Sequence, residues 1–195
     1  MSALELESKI CCCNITENTK INNVLIAIFG SLAIAVATQI AIPLHPVPIT
    51  LQTFAALLVG MVLGPKQGSA AVSLYLFEGI CGLPVFSNFS YGPAVIFGPT
   101  GGYLIGFVFA ALITGCLLQR GWAKRSTTTF LAALLGDIAL FVCGYLMLSH
   151  FVGFHKAYLC GVAPFYLVEA IKLAILTAIV PYCWQIKTKN DAIGL

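Results

Sequence analysis

Two ionisable side chains, Glu169 and Lys172, lie three residues apart in a segment, 162–180, that is otherwise almost entirely apolar. A charged side chain at the centre of a membrane costs roughly 2.5 to 3.5 kcal/mol, and such residues are commonly functional. In a helix this spacing puts both side chains on one face, where a carboxylate and an ammonium can pair or bind one ligand. The pair therefore indicates either a polar ligand site inside a helix bundle or an ion pair that only holds helices together.

The composition is typical of an integral membrane protein. Of 195 residues, 59% are hydrophobic and 9% are charged, whereas soluble domains carry about 25% charged residues. Apolar runs recur near the length of about 20 residues that a helix needs to cross a bilayer. The six predicted spans cover about 24–42, 50–64, 67–80, 99–118, 127–149 and 163–185. The predicted fold is all-α, a polytopic bundle of six transmembrane helices, in which the short second or third span is expected to tilt, break or cross incompletely.

The distribution of basic residues predicts the orientation in the membrane, because Lys and Arg are enriched in cytoplasmic loops. With the N-terminus inside, only Lys156 falls outside, and the eight residues that face the cytoplasm are Lys9, Lys20, Lys66, Arg120, Lys124, Arg125, Lys187 and Lys189. We expect a multi-pass protein of the cell membrane, with a cytoplasmic tail at 1–23, a membrane domain at 24–185 and a second cytoplasmic tail at 186–195. The polar N-terminal segment has no apolar core, so no cleavable signal peptide is predicted.

Gln52 follows a segment that cannot be helical. Pro43, Pro46 and Pro48 lie within six residues, and each proline lacks a backbone donor and restricts the residue before it. Irregular backbone at membrane depth is tolerated only where it is buried in protein or lines a cavity. Gln52 is therefore predicted to line a site, the alternative being a capping or interhelical hydrogen bond.

The connection 79–98 contains no charged residue, although it is predicted to lie outside the membrane. Long loops in compact domains are often functional, and an apolar one is expected to fold over the bundle as a lid or plug. Its polar side chains, Asn88, Ser90 and Tyr91, are suited to fixing the orientation of a ligand. The alternative is a loop on the membrane surface that uses its aromatic residues as interfacial anchors.

Two further features have competing interpretations. Ala27 and Ser31 are small residues four apart in the first span, a spacing that lets another helix approach closely. They predict either packing within the bundle or a docking face for a separate membrane subunit. Asp137, near mid-depth of the fifth span, is a second candidate for a polar role in the interior, although a hydrogen bond to a neighbouring helix is the favoured interpretation.

Several kinds of chemistry are not indicated. The glycine-containing segments 60–66 and 98–103 lack the spacing of a phosphate-binding loop, so nucleotide binding is rejected. The eight cysteines, three of them at 11–13, have no metal-ligand spacing. No arrangement of nucleophile and base suggests an enzyme. We therefore expect no cofactor, no metal site and no nucleic-acid partner.

Four segments together resemble one known family. They are PVPITLQT at 46–53, GLPVF at 82–86, GPTGGYLIG at 98–106, and the acidic-x-x-Lys pair at 169 and 172. Over about residues 24–185 the chain resembles the biotin-binding S component (BioY family) of energy-coupling-factor (ECF) transporters. Each motif alone is weak, but the combination is specific.

The resemblance implies an S-component-like bundle that captures biotin from outside and works with a transmembrane coupling subunit and a pair of cytoplasmic ATPases. By motif, Glu169 and Lys172 would contact the head group of biotin, with Gln52 and the loop residue Ser90 nearby. Two positions depart from the family pattern. Glu169 stands where the family usually has Asp, whose side chain is one methylene shorter. The loop 87–93 is less rich in glycine than is usual in the family.

The resemblance also implies that Ala27 and Ser31 meet the coupling subunit. The ureido ring of biotin has two N–H donors and a carbonyl acceptor, and a carboxylate and an ammonium form strong charge-assisted hydrogen bonds with such groups. Three alternatives stay open: the same architecture for a different vitamin, an intramembrane enzyme that uses Glu169 or Asp137 as acid or base, and a structural subunit whose charges only pin helices.

Overall fold

In a computed structural model of the chain, the described residues are 19–193, with side chains described for 22–182. Outside the described part lie the cysteines at 11–13, the side chains of Lys9, Lys20, Lys187 and Lys189, and most side chains of the two predicted tails. The α-helices of the described part are α1 (Thr19–Gln39), α2 (Gln52–Ile80), α3 (Pro93–Ile96), α4 (Gly101–Gln119), α5 (Ser126–Val152), α6 (Phe154–Gly161) and α7 (Tyr166–Ile193). Strands β1 (Ala41–Ile42) and β2 (Ile49–Thr50) pair antiparallel, with Ala41 opposite Thr50.

Helix α2 is a helical hairpin whose chain reverses at Gly64. The backbone of Gly64 is not helical, with φ 82° and ψ 175°, a conformation open essentially only to glycine. The Gln52 Nε2 donates to the Tyr75 hydroxyl at 3.1 Å, whereas a straight helix would hold these two residues about 35 Å apart. The first arm is therefore 52–63 and the second arm is 65–80.

The hairpin explains how five long helices give six membrane segments. Helices long and apolar enough to cross a membrane lie at Asn22–Gln39, Gln52–Ile80, Gly101–Gln119, Ser126–Val152 and Phe154–Tyr182. Because α2 is folded double, the predicted all-α, six-helix architecture of a multi-pass membrane protein is confirmed. The first arm of α2 is about 18 Å long, shorter than a hydrocarbon core of about 30 Å, so the irregular segment 40–51 that precedes it occupies part of the membrane thickness.

Helix α4 lies between α2 and α5 and packs closely against both. A Cβ on Gly60 would lie 2.6 Å from the Cα of Ala111, and one on Gly106 would lie 2.9 Å from the Cα of Leu140. Small residues allow membrane helices to approach in this way, because packing and hydrogen bonds rather than hydrophobic burial drive their association. The close approach fixes the positions of α4 and α5 relative to the hairpin.

The bundle has two chemically different ends. At the tip end, the reversal of α2 meets the start of α1 through a hydrogen bond of 2.7 Å from Gln67 Nε2 to Asn23 Oδ1. The loop end carries the connections 40–51, 81–100 and 153–165. Apart from Lys172, the lysines and arginines with described side chains are Lys66, Arg120, Lys124 and Arg125 at the tip end and Lys156 at the loop end. Basic charge is thus concentrated at one end, as the sequence predicts.

The uncharged loop 81–100 folds onto the bundle, as predicted. At the end of α1, Gln39 Nε2 donates to the carbonyl oxygen of Phe86 at 3.1 Å, and Gln39 Oε1 accepts from the backbone N–H of Phe89 at 3.1 Å. Phe86 is 1% exposed, and its ring meets the ring of Tyr75 edge to face, with centroids 5.5 Å apart. The loop is therefore a lid that is anchored to α1 and to the α2 hairpin.

Ser31 is covered within the chain. It is 1% exposed, and its Oγ donates to Glu78 Oε1 at 2.9 Å, between α1 and the second arm of α2. Ala27, one turn earlier, is half-buried. Internal packing therefore accounts for Ser31, and contact of Ala27 and Ser31 with a separate subunit stays a prediction.

Replacing Gly60 by Ala is expected to destabilise the bundle, because the added Cβ meets backbone atoms of Ala111. Overpacking typically costs about 1–3 kcal/mol, which lowers the thermal midpoint of a domain of this size by about 2–12 °C. The midpoint is to be measured on the chain in detergent. Ala70→Val adds methyl groups at an exposed position of the second arm and should leave the midpoint unchanged. Equal midpoints for Gly60→Ala and the wild type would contradict the close packing of α2 on α4.

Candidate functional site

Glu169 and Lys172 form a buried ion pair one turn apart on α7. Their exposed fractions are 4% and 5%, and Lys172 Nζ donates to Glu169 Oε1 at 2.6 Å. The same ammonium donates to the backbone carbonyl of Thr50 at 2.7 Å, and the Thr53 hydroxyl donates to Glu169 Oε1 at 3.3 Å. The predicted common face is confirmed, and the pair ties α7 to β2 and to the first arm of α2.

One oxygen of Glu169 is not used by these contacts. Glu169 Oε2 is buried and has no hydrogen-bond partner among the described residues. Leaving a buried acceptor unsatisfied costs about 1–3 kcal/mol, and more when the group is charged. This oxygen is therefore positioned to accept a hydrogen bond from a ligand that carries an N–H or O–H group.

A cavity of about 310 Å³, here the loop-end cavity, lies between the proline-rich segment 43–48, the lid, α4 and α5. Of the residues predicted from the sequence, Gln52, Asn88 and Ser90 line it, together with Thr50 and Thr53. The remaining walls are mainly apolar side chains from the proline-rich segment, the lid, α4 and α5. A few polar groups in an otherwise apolar cavity are typical of a site for a small organic ligand.

Gln52 both lines a cavity and forms a hydrogen bond within the bundle, the two roles predicted as alternatives. Its side chain lines the loop-end cavity, and its Nε2 donates to the Tyr75 hydroxyl. That hydroxyl in turn donates to the Val85 carbonyl oxygen at 3.1 Å and lies 3.2 Å from the Thr38 Oγ1. The amide is therefore held in position by a network that joins α1, the hairpin and the lid.

Some polar residues of the lid line the cavity, whereas Tyr91 does not. Asn88 lines the cavity from a turn with φ 56°, and Ser90 Oγ donates to the Ser87 carbonyl oxygen at 2.7 Å. Tyr91 is 61% exposed and is not among the residues that line this cavity. Ser87, which the sequence did not single out, lines the cavity with a buried Oγ that has no partner among the described residues. A serine in a loop carries no pattern that distinguishes this position from a solvated one.

A second cavity of about 460 Å³, here the lateral cavity, lies between α5 and α7. Glu169 lines it, whereas Lys172 lines neither cavity and sits behind Thr50 and Thr53. Asp137 also lines the lateral cavity, is 7% exposed, and has a buried Oδ1 without a partner in the described part of the chain. For this oxygen the expected hydrogen bond to a neighbouring helix is absent among the described residues.

Phe141 and Phe165 line both cavities and form an aromatic wall between them. Their rings meet edge to face, with centroids 5.5 Å apart. On one side of this wall are serine, threonine and amide groups, and on the other are two carboxylates and the tyrosine side chains. Across the described residues, no group of three or more His, Cys, Asp or Glu side chains is placed to hold a metal ion. The arrangement suits a small molecule with an apolar body and hydrogen-bonding groups at both ends.

The comparisons with known proteins agree with this fold. The probable biotin transporter BioY of Pyrococcus horikoshii is 43% identical over 150 residues, which cover 77% of this chain and 88% of the relative. The biotin transporter BioY of Thermotoga maritima is 41% identical over 154 residues, covering 78% of this chain and 89% of the relative. A crystal structure of the S-component for biotin from an ECF-type ABC transporter matches with a TM-score of 0.78 and 27% identity, covering 88% of this chain and 95% of that one.

The match to the family itself extends over nearly the whole chain, because the sequence profile of the BioY family covers residues 13–189. The chain therefore belongs to the BioY family.

Proposed function

We propose that this chain is the substrate-binding membrane subunit, or S component, of an ECF transporter and that its substrate is biotin. Membership of the BioY family and the names of its relatives support this proposal. The observation in the site that carries it is the buried Glu169–Lys172 pair, which keeps one carboxylate oxygen without a partner among the described residues. The chain acts as a binding and transport subunit and not as an enzyme.

The polar groups of biotin complement those of the site. The ureido N–H groups suit the free oxygen of Glu169, and the ureido carbonyl suits the ammonium of Lys172, because both contacts are charge-assisted. Before the ligand binds, the two side chains satisfy each other at 2.6 Å, which lowers the energetic cost of burying them. The longer side chain of Glu169 is accommodated because its Oε1 is drawn back towards Lys172 and Thr53.

The carboxylate tail of biotin is placed in the loop-end cavity. Gln52, Asn88 and Ser90 line that cavity and supply the neutral polar groups that orient the tail. Contact from Tyr91 requires the lid to move inwards, because the side chain is 61% exposed. The lid therefore both covers the ligand and carries part of its recognition.

Biotin is captured from the outer side, because the loop end is the end with little basic charge and the tip end faces the cytoplasm by the positive-inside rule. Concentrative uptake needs a transmembrane coupling subunit and cytoplasmic ATPases, since the sequence contains no phosphate-binding loop. The half-buried Ala27 on α1 is the proposed contact with the coupling subunit, whereas Ser31, one turn further along, is covered within the chain.

Neutralising the pair tests whether it binds ligand or only holds helices. Lys172→Met alone leaves a buried carboxylate unpaired, at a cost of about 3–5 kcal/mol in stability, so the double variant Glu169→Gln/Lys172→Met is the more informative one. We expect it to fold and to bind labelled biotin at least about tenfold more weakly, because each hydrogen bond to a charged group contributes about 1.5–3 kcal/mol.

Glu78→Gln is the matched control, because it neutralises a carboxylate that Ser31 satisfies outside both cavities. It should bind biotin as the wild type does. Full affinity in the double variant would favour the structural role of the pair. Binding of another vitamin in place of biotin by the wild type would favour an S component of different specificity.

Within the lid, Asn88→Ala is expected to weaken biotin binding by about fivefold, since a neutral hydrogen bond contributes about 1 kcal/mol. Tyr91→Phe, three residues along, removes a hydroxyl from an exposed side chain and should change the affinity by less than about twofold. Isothermal titration of each purified variant with biotin measures both effects. A larger loss in Tyr91→Phe than in Asn88→Ala would show that the lid turns its other side to the ligand.

The orientation is tested with a membrane-impermeant maleimide on intact cells. In a variant whose only cysteine is Cys81, which is exposed at the loop end, labelling is expected without permeabilisation. A variant whose only cysteine replaces Lys66 at the tip end should be labelled only after the cells are permeabilised, because a charged reagent does not cross the bilayer. The reverse pattern would place the loop end in the cytoplasm.

A further inference from the structure

Three buried side-chain oxygens lack a hydrogen-bond partner among the described residues: Ser87 Oγ, Asp137 Oδ1 and Glu169 Oε2. All three residues line one of the two cavities that share the aromatic wall. Ser87 lines the loop-end cavity, and Asp137 and Glu169 line the lateral cavity. Because buried polar atoms in native proteins are nearly always paired, each such atom calls for an explanation.

Protein contacts do not provide the explanation for Asp137. Lys172 is within electrostatic reach of Asp137 but already binds Glu169 and the Thr50 carbonyl oxygen. The other residues around the lateral cavity are apolar or aromatic, apart from Glu169 and the tyrosine hydroxyls. A side chain that is 7% exposed and faces a cavity in the membrane interior is therefore positioned to contact a ligand.

The two carboxylates approach the lateral cavity from different helices, Asp137 on α5 and Glu169 on α7. An ionised carboxylate only accepts hydrogen bonds, so a ligand that satisfies both oxygens must carry two donors directed to two sides. A cyclic ureido group has this arrangement, because its two N–H groups flank the carbonyl. An apolar ring fused to it has the aromatic wall of Phe141 and Phe165 on which to pack.

We propose that Asp137 and Glu169 accept one hydrogen bond each from the two ureido N–H groups of biotin, and that Ser87 donates to the carboxylate at the other end. This inference rests on the proposed function and adds two ligand contacts to it. The head of the ligand then lies in the lateral cavity, and the tail passes the aromatic wall into the loop-end cavity. The three oxygens that lack protein partners are in this way all paired by one molecule.

Asp137→Asn keeps the size of the side chain but presents an N–H₂ group to the ligand or loses the charge on the acceptor. We expect the purified full chain to bind biotin at least about tenfold more weakly after this change, as for the loss of a hydrogen bond to a charged group. Glu78→Gln is again the matched control, with affinity within about twofold of the wild type. Ser87→Ala is expected to lower biotin affinity at least about tenfold, since one hydrogen bond to a carboxylate is lost.

Two analogues of biotin, each methylated on one ureido nitrogen, identify the contacts. Each methyl group should weaken binding to the wild type at least about tenfold. The analogue that is methylated on the nitrogen facing Asp137 should bind Asp137→Asn as tightly as biotin binds that variant. The other analogue should bind Glu169→Gln as tightly as biotin binds that variant, because groups in contact are energetically coupled. If Asp137→Asn fails to fold, the wild type alone provides a test, because the proposal requires both methylated analogues to bind it more weakly than biotin does.

Wild-type affinity in Asp137→Asn, or tolerance of a methyl group on either nitrogen by the wild-type chain, would overturn the assignment of Asp137. Unchanged affinity in Ser87→Ala would overturn the placement of the tail. In each case binding of biotin by the wild type leaves the proposed function standing. Failure of the wild type to bind biotin would overturn both the proposed function and this inference.

Discussion

The rest of the site depends on one requirement, that an ammonium inside a membrane must be surrounded by acceptors. Lys172 meets it with the Glu169 carboxylate at 2.6 Å and the Thr50 carbonyl oxygen at 2.7 Å. This carbonyl belongs to β2, a strand of two residues where the backbone is not helical, and its two lone pairs can accept from a side chain as well as from the backbone. The prolines that precede β2 provide such a stretch, so the buried charge and the irregular segment depend on each other.

The reversal of α2 makes room for this irregular backbone. A straight helix from Gln52 to Ile80 would cross the membrane once and leave the segment 40–51 on the surface. The reversal at Gly64 instead gives two short arms, and the first arm is shorter than the membrane is thick. The space that remains at the loop end is filled by the proline-rich segment and covered by the lid, which Gln39 holds through two hydrogen bonds at 3.1 Å.

The two cavities divide the chemistry of the site between acceptors and neutral polar groups. Carboxylates face the lateral cavity, hydroxyl and amide groups face the loop-end cavity, and Phe141 and Phe165 lie between them. A ligand that spans the aromatic wall exchanges its hydration for hydrogen bonds at both ends and for ring contacts in the middle.

Composition, periodicity and short motifs were enough to predict the class of protein, the six membrane segments, the common face of Glu169 and Lys172, the cavity position of Gln52 and the resemblance to the family. Composition and periodicity suffice for the first three, because they are properties of one helix or of the whole chain. The position of Gln52 follows from the prolines before it, and the family resemblance from the motifs at 46–53, 82–86, 98–106 and 169–172. Four features emerged only from the three-dimensional arrangement: α2 reverses, Ser31 is covered, Tyr91 points away from the cavity, and Asp137 and Ser87 face the cavities. These outcomes depend on atoms brought together from distant positions, as with Lys172 and Thr50, 122 residues apart, and no local pattern encodes such a meeting.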